Sequence, residues 1–236
     1  MLKNTSDSLV ARRSFLTRLG AGVTVLGSGL AAGTSVANAQ SAAAGAARPA
    51  RHAQDDWMDK LPGKHRLVFD TTTPAGFGVA VAYANNFLTA DKDGYGLTDQ
   101  DHGIIIVARH FATPFAYNDA MWAKYAKAMP PFVVIDDPKT KQRPTINLFN
   151  VGTYGLDLPN LGTTIPDVVK RGVHFAVCQM ATRFFAGPLA QATGGTQDAV
   201  YNELVANLVG NSHMVAAGIV AVNRAQERGY TMATAV

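Results

Sequence analysis

The run HGIIIVARH, residues 102–110, sets the tightest limit on how this chain can fold. Three isoleucines and a valine follow one another with no polar residue between them. A strand with one wet face alternates apolar and polar residues, whereas a strand covered on both faces has no reason to alternate. VHFAVC (173–178) repeats the pattern, and HRLVFD (65–70) is a third short apolar run, closed by the turn chemistry of TTTPAG. Such strands need cover on two sides, and the segments between them supply it.

Helical spacing of apolar residues marks FGVAVAYANNFLTA (77–90). TPFAYNDAMWAKYAKAM (113–129) opens with Thr113 as an N-cap and Pro114 at the first helical position. TTIPDVVKRG (163–172) ends on a glycine stop. QMATRFFAG after Cys178, DAVYNELVANLVG (198–210) and IVAVNRAQERG (219–229) complete the helices, with short strands at SHMVAAG (212–218) and YTMATAV (230–236). Buried strands alternating with helices predict an α/β domain around a mainly parallel sheet. Residues 130–163 break the alternation. They are rich in Pro, Gly and Asn, and hold two β-prone pieces, FVVID and TINLF, that can pair as a hairpin. So long an irregular excursion implies a use, as a lid or as an oligomer contact. DKDGYGLTD (91–99) has its glycine in the wrong place for a calcium loop and reads as a solvated turn.

The N-terminus has a different character. Arg12 and Arg13 lead into a mild, glycine-rich apolar run that ends at Ala-Asn-Ala, residues 37–39. A charged start, a short apolar stretch and an Ala-x-Ala site make an export signal of twin-arginine type, cleaved after Ala39. Residues 40–56 then read as a flexible linker, with the domain at 57–236. The expected location is the periplasm, with no membrane span in the mature chain. Of the 21 basic and 17 acidic residues, four and one lie in residues 1–39, leaving 17 against 16. So even a balance excludes the basic stripe that nucleic-acid binding needs.

In open α/β sheets, ligands bind at the carboxyl ends of the strands. Three such ends can be read here: Asp70, Arg109–His110 and Cys178. Cys178 is the only cysteine, at a strand-to-helix junction where backbone N–H groups favour a thiolate. It is equally compatible with a small buried apolar residue. His110 serves as general base and thiolate partner or as a cap on the following loop, and Arg109 favours the thiolate by charge. If the strands are neighbours, His110 and Cys178 share a rim, with Asn85 and Asn86 as candidate ligand-binding residues beside them. His174, inside its strand, reads as a histidine satisfied within the sheet. No paired Cys or His spacing calls for a metal, and nothing calls for a bound cofactor.

Several of these segments, LVFDTTTP, YANNFL, IIIVARH, GVHFAVCQMAT and VAAGIVAVNRAQERGY, together resemble the DsrE/DsrF-like sulfur-relay family, in particular its exported single-domain branch. The resemblance covers about residues 64–236, apart from much of the excursion. It implies a flavodoxin-like parallel sheet flanked by helices, assembly as a homo-oligomer (trimer or hexamer), and a cysteine that carries sulfur as a persulfide between donor and acceptor proteins. Cys178 matches the family's cysteine; Arg109 and His110 fall at the preceding strand end, where the family has a polar loop. The export signal and the length of the excursion depart from the family's compact cytoplasmic members.

Overall fold

The computed structural model describes residues 49–236, so the expected export signal and the first part of the expected linker lie outside the described residues. Five strands, β1 (His65–Thr71), β2 (His102–Ala108), β3 (His174–Cys178), β4 (Ser212–Val215) and β5 (Thr231–Ala235), form one all-parallel sheet in the order β4-β3-β2-β1-β5. The expected α/β architecture, a parallel sheet flanked by helices, is what the chain adopts. The strand beyond β1 is the fifth in the chain; in the flavodoxin order 2-1-3-4-5 it is the second.

The unalternating runs behave as their composition requires. Ile104 and Ile106 of β2 point into one core with Phe69, Phe175 and Val177. Ile105 and Val107 point into a second core with Val68, Ala176 and Val215. The helices α2 (Pro74–Tyr95), α3 (Asp119–Tyr125), α4 (Ile165–Lys170), α5 (Gln179–Thr193) and α6 (Gln197–Ala206) all contribute to the first core. Among the described residues, only α7 (Gly218–Gln226), with the short α1 (Trp57–Lys60), covers the second. The chain's direction explains this split. Steps from β1 to β4 advance one way across the sheet, and right-handed crossovers put their helices on one face; the step from β4 back to β5 runs the other way and takes α7 to the opposite face.

Local signals set most element ends. Thr73 caps α2 by accepting from the Gly76 N–H at 2.9 Å, Pro74 follows at the first turn, and Gly96 closes the helix with φ 69°. The helix is therefore longer than its apolar pattern predicts. It absorbs residues 91–95 of the expected turn, where Asp91 receives the buried ring of His102 at 2.8 Å. Thr113 and Pro114 do not open a helix. Residues His110–Ala116 form a 3-10 segment containing Pro114, the Thr113 hydroxyl donates to the Ala108 carbonyl at 3.3 Å, and α3 starts after Asn118, which accepts from Met121 N–H.

The excursion holds no hairpin. FVVID and TINLF each wind partly into 3-10 turns, Pro131–Val133 and Leu148–Asn150. Prolines 130 and 131 have no N–H to open a ladder, and Leu148 and Phe149 turn into the core instead of alternating. Asn147, fully buried, pins the segment by donating to the carbonyls of Phe115 and Tyr117 at 2.8 and 3.2 Å. The linker also ends sooner than expected. Ala53–Asp55 is a 3-10 turn, Asp55 is buried, and Arg51 pairs with Asp59.

Inside the sheet, His174 Nδ1 and His213 Nε2 are 3.0 Å apart, and the indole of Trp57 stacks on His213 at 3.9 Å. His174 is thus satisfied within the sheet by a second histidine. Burial, then the neighbouring His213, pushes its pKa down to about 4, and burial lowers His213 as well. An unfolded histidine takes up its proton near about 6.5; the folded one does so only at about 4. The unfolded state therefore binds more protons between these values, and stability falls as pH drops through that window. The expected loss is about 1–2 kcal/mol after screening at this half-buried pair. Thermal unfolding midpoints of the wild type and His174→Asn between pH of about 7 and about 4 check this. Parallel curves would contradict it.

Among the described residues no helix is long and apolar enough to cross a membrane.

Candidate functional site

Adjacent strands whose outgoing connections leave on opposite faces open a crevice at their carboxyl ends. Here that point lies between β3, which leads into α5 on the first face, and β4, which leads into α7 on the second. Cys178 is the last residue of β3 and pairs in register with Val215, the last of β4. The single thiol stands at the switch point of the sheet.

Its surroundings are built from three strand ends. Cys178 also caps α5: its Sγ accepts from the Ala181 N–H at 3.4 Å, and its carbonyl accepts from the Thr182 hydroxyl at 2.9 Å. That hydroxyl in turn accepts from Tyr117 at 3.2 Å. Burial raises the Tyr117 pKa well above the usual phenol range, so this residue stays a neutral donor. Cys178 itself is 6% exposed. It opens on a cleft of about 450 Å³ lined by His110, Phe111, Phe132, Met180, Ala181, Phe184 and Phe185. Phe132, Met180 and Phe184 are mostly exposed and form the mouth. The volume falls within the range of small-ligand pockets, and the walls are apolar except for the thiol and one imidazole.

His110 and Cys178 therefore line one cleft, as the shared rim requires. His110 holds φ 54°, a left-handed conformation uncommon for a residue with a side chain. The turn is fixed by the Phe111 N–H donating to the Thr72 carbonyl at 3.0 Å, with the His110 and Phe111 rings 3.8 Å apart. Strained backbone of this kind gathers at sites where a side chain must be aimed.

Arg109 is engaged differently. Its Nε and Nη2 donate side-on to Asp70 Oδ1 and Oδ2 at 2.6 and 2.8 Å. The guanidinium is a quarter exposed and the carboxylate a tenth. The Asp70 hydrogen bond raises the arginine's pKa. Across the crevice, the start of α7 lies against Arg109: a Cβ on Gly218 would come within 2.3 Å of the arginine Cβ.

Asn85 and Asn86 do not belong to this site. They lie in the second half of α2, which runs back to the opposite end of the sheet. There Asn85 accepts from Arg171 Nη1 through its side chain at 2.8 Å and through its carbonyl at 3.1 Å. Arg171 also clamps Asp99, just before β2, and Asn86 faces solvent. A helix returning antiparallel to β1 carries anything more than two turns along it away from the carboxyl edge. Asp70 is the residue that sequence reasoning left without a role. The signal was present: β1 and β2 run in register, Asp70 opposite Val107 and Thr71 opposite Ala108, so a carboxylate and an arginine at their ends meet. The aromatic walls had no comparable signal, since Phe132 comes from the excursion.

No protein-family model matches the chain, and no curated protein matches it. Among solved structures the chain is similar to the protein of unknown function MTH1491 from Methanobacterium thermoautotrophicum, with 14% identity, coverage of 72% of this chain and 99% of that one, and a TM-score of 0.36.

Proposed function

We propose that this protein is an exported sulfur carrier of the DsrE-like kind, working as a homo-oligomer and loading sulfur on Cys178. The observation that carries the reading is the thiol's position: the switch point of the sheet, an N–H from the first turn of α5 on its sulfur, and a cleft in front of it shared with His110. In the loading step the Cys178 thiolate attacks the outer sulfur of an organic persulfide, R–S–SH. The S–S bond breaks, R–S⁻ leaves, and the chain holds Cys178–S–SH. Attack by an acceptor thiolate on that outer sulfur returns Cys178 to its thiolate. No oxidant or reductant is consumed in either step. His110 exchanges the thiol proton with the cleft. The aromatic walls suit a donor or acceptor that brings its sulfur on an apolar body. A second reading, a binding module for an apolar ligand or partner with an inert cysteine, draws on the 6% exposure of Cys178.

Intact mass of the exported protein, before and after a polysulfide donor, separates the two. The expected result is a reductant-labile gain of one or more sulfur atoms, lost completely in Cys178→Ala, on a chain beginning at Gln40. Gain retained in Cys178→Ala would refute the carrier. A native thiol that neither loads nor alkylates would leave the binding module.

A further inference from the structure

Two groups of rings line the cleft at Cys178, and no carboxylate, ammonium or guanidinium stands among them. His110, Phe111 and Phe132 form a contiguous run, with successive ring centroids 3.8 and 4.6 Å apart. Phe184 and Phe185 of α5 form an edge-on pair at 5.3 Å, with Met180 one turn earlier. We infer that the cleft selects a neutral, ring-bearing sulfur compound, an arylalkyl persulfide, with its ring among these aromatics and its sulfur at Cys178. The sulfur half of that assignment rests on the reading of Cys178 as the working thiol; the ring half needs only the cleft.

Both charged residues that neighbour lining residues in the chain are held elsewhere. Arg109, before His110, donates side-on to Asp70. Arg183, before Phe184, turns to α6, where it donates to Asp198 at 3.0 Å and lies 4.2 Å over the Tyr201 ring. One imidazole and the thiol are the polar side chains left in the lining. A carboxylate drawn into such a cleft sheds water and finds no guanidinium or ammonium to replace it, which is costly. An aromatic ring instead hides apolar surface there and meets the walls edge-on or offset. Exposure argues the same way. Phe132, Met180 and Phe184 are each more than half exposed at one mouth, and a shared apolar patch of this kind marks a binding site. The occupant is a small molecule, because the thiol beneath that mouth is 6% exposed and a cleft of about 450 Å³ admits a small ring system but no folded surface.

The chemistry then strands no charge. His110 takes the Cys178 proton, and the thiolate attacks the outer sulfur of R–S–SH, R being the arylalkyl body. The S–S bond breaks, its electron pair leaves on the inner sulfur, and that sulfur takes the proton back from His110. A neutral thiol, R–SH, departs, and Cys178 keeps –S–SH.

Naphthalenemethanol and naphthoate share a ring system, differ in charge and do not react with thiols. Binding to the exported protein and to Cys178→Ala, followed by each probe's own fluorescence, should be at least about tenfold tighter for the alcohol in both proteins. Phe184→Arg sets a cation at the mouth and should cut that preference by about tenfold or reverse it; loss of apolar area alone would weaken both probes together. Circular dichroism confirms folding, and Phe132→Arg, on the other group of rings, replaces a Phe184→Arg that does not fold. Benzyl persulfide should load Cys178 about tenfold faster than cysteine persulfide, each rate taken relative to a free thiol acceptor.

Naphthoate bound as tightly as the alcohol, an alcohol that binds neither protein, or equal loading by the two persulfides overturns the selection for neutral rings and leaves loading from polysulfide as it is. A preference unmoved by the arginine overturns the cleft as the ring's site. Alcohol binding that weakens as protein concentration rises means that a second copy fills the mouth, and overturns the small-molecule occupant. A protein that prefers the alcohol but never takes up sulfur overturns the carrier and leaves a binding module for neutral rings.

Discussion

Phe77→Ala lowers the unfolding free energy by about 3–5 kcal/mol, the range for deleting a buried phenylalanine whose site cannot collapse. Phe77 is fully buried in the first turn of α2, and its ring lies 6.0 Å from Phe115, 6.1 Å from Phe149 and 5.8 Å from Phe175. The four rings come from four places: α2, the 3-10 segment after β2, the excursion, and β3. No single element can move into the vacancy without breaking contacts of its own. Next to it, Gly78 meets Phe149 so closely that a Cβ there would sit 2.7 Å from the ring, so the helix and the excursion are in direct contact. The expected consequence reaches past global stability. Hydrogen exchange in residues 130–163 should speed up in Phe77→Ala beyond what the global loss requires, because Phe149 is the excursion's aromatic anchor. Phe132→Ala, about half exposed at the cleft mouth, should change stability by no more than about 0.5 kcal/mol. Chemical denaturation of the two variants checks the contrast. A loss below about 1 kcal/mol for Phe77→Ala would mean that the aromatic cluster does not hold the excursion.

That cluster also marks where sequence reading stops. The strands were legible because burial on both faces leaves a local trace, the unalternating run, and Ile104 to Val107 divide between the two cores as the run implies. The helix at 163–172 was legible from its glycine stop, and its start at Ile165 carries a threonine cap and a proline that act without competition. The same signal misled at Thr113–Pro114, where the chain is still turning off the end of β2 and the threonine bonds back to Ala108. Tertiary contact overrode local preference there. The cleft was half legible. Cys178 and His110 end strands that a parallel sheet makes neighbours, so their meeting follows from topology. Asn85 was misplaced because periodicity finds a helix but not how far along it the sheet's edge lies. Phe132 and the α7 start reach the site from 46 and 40 residues along the chain from Cys178, and only the folded path brings them there.

Gly218→Val ties these levels together, and its effect should be large on the site as well as on stability. A Cβ at this position would stand 2.3 Å from Arg109 Cβ and 2.9 Å from its Cδ, too close for real carbon atoms. The Cβ of Arg109 is the root of its side chain, fixed by the β2 backbone, so turning the distal guanidinium cannot relieve the nearer contact. Either α7 slides off the sheet or the β2 end shifts away from β1. The first route opens the core that Ala221, Val222 and Ala225 fill against Val68, Ile105 and Val107; the second pulls Arg109 from Asp70. Overpacking of this kind costs about 1–3 kcal/mol, and the branched side chain belongs at the upper end. The thiol reports which route is taken. If the clamp breaks, the end of β2 shifts beside the neighbouring end of β3, so the alkylation rate of Cys178 and its sulfur loading change along with stability. If α7 yields, stability falls while the alkylation rate keeps its wild-type value. Gly218→Ala should show the same pattern in weaker form, since its single carbon meets the same near contact without the two methyl groups. Stability and alkylation rate both unchanged in Gly218→Val would mean that α7 does not brace Arg109 at all, and that the start of α7 stands farther from the end of β2 than a 2.3 Å approach of the added Cβ implies.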